Sequence, residues 1–184
     1  MQTQNKKIFR LQRAIYLPEQ LDSESWYAVY TRARHEKCVA EHCRQRGITA
    51  FLPLYQVQRR WKERPAKVLL PLFPSYVFVR IALHDRLHIL GLPGIVSLVS
   101  FNNVPAVVPE QQIECLQRAI TLGRAEPHVY LHSGRQVRVT AGPLVGLEGI
   151  VVEIKNRVHV IVSFEWMARS VAVSLDAADV ETLR

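Results

Sequence analysis

Three residues with metal-ligating chemistry fall at i, i+3 and i+7 in a basic segment: His35, Cys38 and His42. That spacing puts them on one face of a helix. Structural zinc sites usually draw paired ligands from a turn or from two elements, and no second pair such as C-x-x-C occurs in this chain. The trio is therefore read as a helix face, with no metal and no cofactor implied. Around it stand Arg32, Arg34, Lys37, Arg44 and Arg46, and further along comes the run Arg59-Arg60-Trp61-Lys62-Glu63-Arg64. Such a run can lie along phosphates while its aromatic stacks on a base; a solvated hairpin tip is the other reading. No phosphate-cradling G-x-x-x-x-G-K-[ST], no G-x-S-x-G and no H-E-x-x-H is present. Acidic residues are scattered, which does not suit paired-carboxylate chemistry. The expectation is a protein that binds and does not catalyse.

Charge is localised. Of the 184 residues, the first 64 carry 13 Lys and Arg against 6 Asp and Glu, while residues 130–184 carry 6 against 6. Most of the net +8 thus lies in the first third, a field suited to a polyanion such as nucleic acid. No apolar run approaches the ~18 residues of a membrane span. Three cysteines are too few and too irregular for a disulfide framework, so a reducing cytoplasm is expected. Met1 to Arg13 lacks the apolar core and cleavage site of a secretory signal.

The elements that position these groups follow from pattern. Residues 1–24 read as an extension, a mobile or loosely docked tail in which Lys6, Lys7, Arg10 and Arg13 alternate with Ile8, Phe9, Leu11 and Ile15 in a weak helical pattern that Pro18 ends. Trp26 to Tyr30 is a strand. Thr31 is a plausible cap for a helix over Arg32 to Arg46, closed by Gly47. Thr49 to Gln58 and Val68 to Leu72 flank the basic tip. The central stretch is Leu72-Phe73-Pro74-Ser75-Tyr76-Val77-Phe78-Val79. Strand alternation places Val77 and Val79 on one face, Tyr76 and Phe78 on the other. Both faces need cover: the protein's own helices suit one, and a second layer or a partner the other. A helix over His84 to Leu90 ends at Gly91. Short strands at 95–101 and 104–108 precede a helix that Pro109 starts, with Ile113, Leu116 and Ile120 on one face. Residues 123–131, broken by Pro127, read as a linker. Beyond it, five short strands with glycine turns in residues 132–184 describe a small barrel. The fold class is α+β: an amino-terminal α/β sandwich over 25–122 linked to a five-stranded β-barrel.

Trp26-Tyr27 with a basic helix behind it, Pro71 to Val79, Pro93-Gly94-Ile95-Val96, and Gly134-x-x-Val137-x-Val139-x-x-Gly142-Pro143-x-x-Gly146-x-x-Gly149 together resemble the NusG family of transcription elongation and antitermination factors, an NGN domain followed by an SH3-like KOW barrel. Leu72 to Val79 and the short 84–94 loop resemble the specialised paralogues of the RfaH and UpxY kind. The resemblance implies binding to the clamp helices of RNA polymerase through an apolar patch matching Phe73, Tyr76, Phe78 and Phe101. It also implies contact with the non-template DNA strand at the positions of Arg32, Arg34, His35 and His42. For the barrel it implies a small-subunit ribosomal protein or Rho as partner, met by Leu144, Leu147, Trp166, Met167 and Arg169. The expected factor is a cytoplasmic monomer that suppresses pausing or termination. The rival is a KOW-containing RNA-binding or ribosome-associated protein; its barrel should be basic, whereas residues 130–184 sum to zero.

Overall fold

The computed structural model describes residues 22–61, 64–101, 103–128, 136–154, 157–164, 169–175 and 179–182. Most of the extension, Lys62, Trp166 and Met167 lie outside these.

β1 (Ser25–Thr31) is the centre of the amino-terminal sheet. It pairs antiparallel along its length with β5 (Tyr76–Ile81), from Ser25 opposite Ile81 to Tyr30 opposite Tyr76. On its other side it holds β6 (Ile95–Leu98) and β9 (Val107–Val108), while β2 (Thr49–Phe51) pairs with the far edge of β5. Strand period 2 divides the apolar residues between two faces. Tyr27, Val29, Val77, Val79 and Ile81 pack against Val39 and Cys43 of α1 (Glu36–Gln45) and Ile89 of α2 (Arg86–Leu90). Trp26, Ala28 and Phe78 form the opposite face and pack with Ile113, Leu116 and Ala119 of α3 (Glu110–Thr121). The second face of the Tyr76–Val79 strand is therefore covered by the protein itself. Phe73 and Phe78 are 1% and 0% exposed, so the expectation that they form an open patch is corrected: they are core.

The expected helix over Arg32 to Arg46 is shorter at its start. Thr31 stays in β1 opposite Ile95, Arg32 N–H donates to Gly94 O at 2.8 Å, and Arg34 has φ 64°. Thr31 accordingly caps nothing; its hydroxyl is buried and has no hydrogen-bond partner. The expected 49–58 strand is two, β2 and β3 (Leu54–Trp61), separated by Leu52 and Pro53. β3 pairs with β4 (Arg64–Pro71) in a separate hairpin. A small hairpin of β7 (Ser100–Phe101) and β8 (Val104–Pro105) lies between β6 and β9.

The carboxy-terminal half is a six-stranded antiparallel sheet in the order β10-β14-β13-β12-β11-β15. Its strands are β10 (Ala125–His128), β11 (Gln136–Val139), β12 (Glu148–Ile154), β13 (Arg157–Phe164), β14 (Arg169–Leu175) and β15 (Val180–Thr182). The five expected strands are all present. The sixth, β10, comes from residues read as linker: Ala125 to His128 pair with Val173 to Ser170. Val137, Val139, Val160, Val162, Val171 and Val173 are buried on one side, in the same apolar cluster as α3.

Candidate functional site

A tight turn lies at the Thr31 end of the β1–β5 pair. Pro74 and Ser75 occupy its central positions, Ser75 has φ 67°, and Tyr76 N–H donates to Phe73 O at 3.2 Å. Proline first and positive φ second are the requirements of a type II turn, which usually takes glycine at the second place. Here serine is held there by partners: its N–H donates to Glu36 Oε1 at 2.7 Å, and its carbonyl accepts from Thr31 N–H at 2.8 Å. Glu36 is 5% exposed, so this charge-assisted bond ties the start of α1 to the turn away from water.

The turn presents Tyr76. Its ring meets Tyr30 edge to face, with centroids 5.4 Å apart; Tyr30 is 41% exposed and Tyr76 half-buried. Deeper on the same face, Phe78 stacks on Phe51 at 6.0 Å and meets Phe73 edge-on at 5.7 Å. The arrangement is a half-exposed tyrosine pair beside a phenylalanine triad in which Phe73 and Phe78 are buried and Phe51 is partly buried. Rigid aromatic area with few rotors to freeze suits a docking anchor. Tyr30 was not among the residues expected from sequence; its alternation with Trp26 and Ala28 and its position at the strand's end were the available signal.

Cations adjoin the pair in sequence and space. Arg32, Arg34 and His35 are exposed in the loop between β1 and α1, not on the helix as expected. The Pro93-Gly94 turn braces this loop through Gly94 O. Gly94 has φ 92°, and a Cβ on it would lie 3.0 Å from Val39 Cγ2 and 3.3 Å from His35 Cβ, so glycine is required here twice over. His42 is separate, on α1 beside Cys38, with Nε2 3.7 Å from Sγ. Arg59 and Arg60 lie in β3, opposite Ala66 and Pro65. Phe101 is 69% exposed on the β7–β8 hairpin.

Of the barrel residues, Leu144 and Leu147 are 0% and 4% exposed. They anchor the glycine turn in the core and cannot be its contact surface, which corrects the expectation. Val145 between them is exposed, as is Arg169 on β14.

Among the described residues no group of three His, Cys, Asp or Glu side chains is placed to hold a metal ion. No helix among them is long and apolar enough to cross a membrane. Burial pushes the Cys43 thiol up to about 11, so it stays protonated and unreactive near neutrality. Cys115 is also buried and Cys38 exposed. A disulfide-exchange reagent at pH 8 is expected to titrate one thiol rapidly, and the other two only after denaturation. Loss of the fast phase in Cys38→Ser confirms the assignment; a second fast thiol would contradict it.

Comparison with known proteins bears on this geometry. The family model described as transcription termination factor nusG matches residues 24–117, the segment that carries β1, α1, the turn and most of α3. Transcription termination/antitermination protein NusG of Rickettsia bellii is 23% identical over 167 residues, covering 83% of this chain and 88% of the relative. That of Staphylococcus epidermidis is 23% identical over 182 residues, covering 91% and 100%. A solved structure of Thermotoga maritima NusG matches with a TM-score of 0.55 at 23% identity, covering 88% of this chain and 98% of that one; the likeness is one of fold. With its matched domain, its full-length relatives and this architecture, the chain belongs to the NusG family and is a transcription factor of the NusG type.

Proposed function

We propose that this protein binds transcribing RNA polymerase at the clamp helices and suppresses pausing or termination. The observation that carries the reading is the half-exposed Tyr30–Tyr76 pair on the family domain, rigidly backed and flanked by Arg32, Arg34 and His35. An aromatic anchor beside guanidinium groups suits a surface that meets protein on one side and nucleic acid on the other. The anchor is Tyr76 with Tyr30, and Phe101 is a second exposed aromatic on the same domain. Arg32, Arg34 and His35 face the non-template strand, with Arg59 and Arg60 of β3, Lys62, and His42 of α1 as further contacts.

The action is mechanical. A factor that bridges the cleft and binds the closed clamp more tightly than the open one shifts the population toward closed. No chemical step or cofactor is needed, and the site is cytoplasmic. The carboxy-terminal sheet, with zero net charge over residues 130–184, suits a protein partner better than RNA. A small-subunit ribosomal protein or Rho would meet Val145 and Arg169, together with Trp166 and Met167.

The test is binding to a purified clamp-helix fragment. Tyr30→Ser/Tyr76→Ser is expected to keep its circular dichroism spectrum and lose roughly 30-fold or more in affinity, the scale of one to two hot-spot residues. Equal binding by the folded double variant would sink the docking assignment. Absence of wild-type binding, together with tight binding to RNA alone, would favour the KOW-type RNA-binding reading.

A further inference from the structure

The two edges of the β3–β4 hairpin differ. Leu72 N–H donates to Pro53 O at 2.8 Å, which makes that pair hydrogen-bonded, and bonded pairs alternate along the register. Pro65 and Pro71 therefore turn away from β3, and Lys37 Nζ takes the Leu69 carbonyl between them at 3.1 Å. On β3 the same alternation turns Leu54, Gln56 and Gln58 away from β4. No proline stands among them, and their outward N–H and C=O groups have no partner among the described residues. The edge of β4 is blunted and that of β3 is open. An open edge is a template for another strand.

That edge borders a groove of about 910 Å3. Residues 54–58 form one wall and Ala125 and Pro127 of β10 the other; Ile120 of α3 also lines it. β3 and β10 do not pair with each other. Strand period 2 gives β3 two unlike faces. Tyr55 packs, as Ile120 does, against the apolar cluster that holds α3, and Val57 shares its parity. Gln56 and Gln58 belong to the other face, opposite Leu69 and the exposed Lys67. The hairpin segment carries Arg59, Arg60, Lys62, Arg64 and Lys67 against Glu63, and Glu126 is the acidic residue lining the groove. The charge of the open edge is positive.

We propose that β3 is a strand-addition site for an extended segment of a partner protein in which apolar and acidic residues alternate. The backbone groups of Leu54, Gln56 and Gln58 supply the ladder. Apolar residues of the segment lie on the Tyr55–Val57 side with Ile120, and acidic ones lie over Gln56, Gln58 and Lys67. Nucleic acid matches the charge of the hairpin but has no repeating amide to pair with a strand edge. Neither Tyr30 nor Tyr76 lines the groove, so occupation of this edge is independent of docking through the tyrosine pair.

The probe is a short fluorescent peptide in which glutamate and valine alternate, titrated into the full-length protein beside a peptide of the same composition in two blocks. The alternating peptide is expected to bind at least about tenfold more tightly, since only it can hold one side chain type on each face. N-methylation of every glutamate, or of every valine, silences alternate N–H groups. One of these two peptides should lose binding and the other keep it, with the protein unaltered. Gln56→Pro gives β3 the device that β4 carries, and should weaken binding at least about tenfold while keeping the circular dichroism spectrum. Lys67→Glu should move the preference toward an alternating lysine–valine peptide. Equal binding of the block peptide, equal effects of the two methylations, or wild-type affinity in a folded Gln56→Pro overturns the proposal. So does an unchanged preference in Lys67→Glu. Tight binding of single-stranded DNA with none of the alternating peptide overturns it in favour of a nucleic-acid groove.

Discussion

Phe78→Ala is expected to lower the unfolding free energy of the amino-terminal sheet by about 3–5 kcal/mol, the usual cost of emptying a phenylalanine site in a core. The side chain is fully buried, lies between Phe51 and Phe73 and belongs to the cluster that attaches α3. Its loss opens a cavity whose walls belong to three separate elements and cannot collapse together. Against a total of 5–15 kcal/mol for a typical domain, this is a large fraction. Tyr76→Ser, two residues away on the same face but half-exposed, should cost about 1 kcal/mol. Urea unfolding of the two variants separates them: a large drop in midpoint for Phe78→Ala, a small one for Tyr76→Ser. Equal shifts would mean that the face is not divided into core and surface as described. The contrast also decides how binding data are read. A Phe78 variant that fails to bind polymerase reports lost structure, whereas a folded Tyr30/Tyr76 variant reports lost contact.

Much of this fold is legible in sequence because it is local. The alternation at 76–79, the amphipathic 110–121 helix and the glycine-punctuated strands after 135 each carry their own period. Whether a face is covered is not local. Tyr76 and Phe78 have the same parity, and only α3, more than thirty residues later, makes one core and leaves the other at the surface. Tyr30 was hidden likewise, since its partner is set by the register between β1 and β5. The start of α1 was displaced because sheet pairing held Thr31 against a good capping residue's preference.

Prolines were misleading for a different reason. Ser174 N–H donates to Arg124 O at 3.1 Å, which makes that pair hydrogen-bonded. Pairs then alternate, so Pro127 points its missing N–H away from β14. A proline there does not break a strand; it closes an edge to further pairing. The same alternation, set by Leu72 N–H donating to Pro53 O, turns Pro65 and Pro71 toward the outer edge of β4. Leu69, between them on that edge, has its carbonyl taken by Lys37 Nζ at 3.1 Å. The hairpin and β10 are thus strands with blunted edges, one of which reads in sequence as a linker.

Gly149→Ala is the second large effect, and it falls on the carboxy-terminal sheet. Gly149 has no need of unusual dihedrals; its requirement is space. A Cβ there would stand 2.8 Å from Val160 Cγ1 and 2.9 Å from the Ile161 carbonyl carbon, and closer still to that residue's oxygen. The obstacle is mainly the backbone of β13, which no rotamer change removes, and β12 cannot retreat because it also pairs with β11. The expected loss is about 3 kcal/mol, the upper end of overpacking costs. Gly146→Ala is the control. Gly146 has φ 86°, with nothing within 4 Å of the added carbon, so its cost is left-handed backbone strain alone, about 1–2 kcal/mol. Chemical denaturation of the full chain should rank Gly149→Ala well below Gly146→Ala in midpoint, and the reverse order would contradict the close approach of β12 and β13. The consequence reaches function, because Gly149 sits beside the turn that Leu144 and Leu147 fasten to the core. A sheet that yields at β12 releases that turn, and with it the exposed Val145. Partner binding through this half should therefore fail in Gly149→Ala even though no contact residue has been touched.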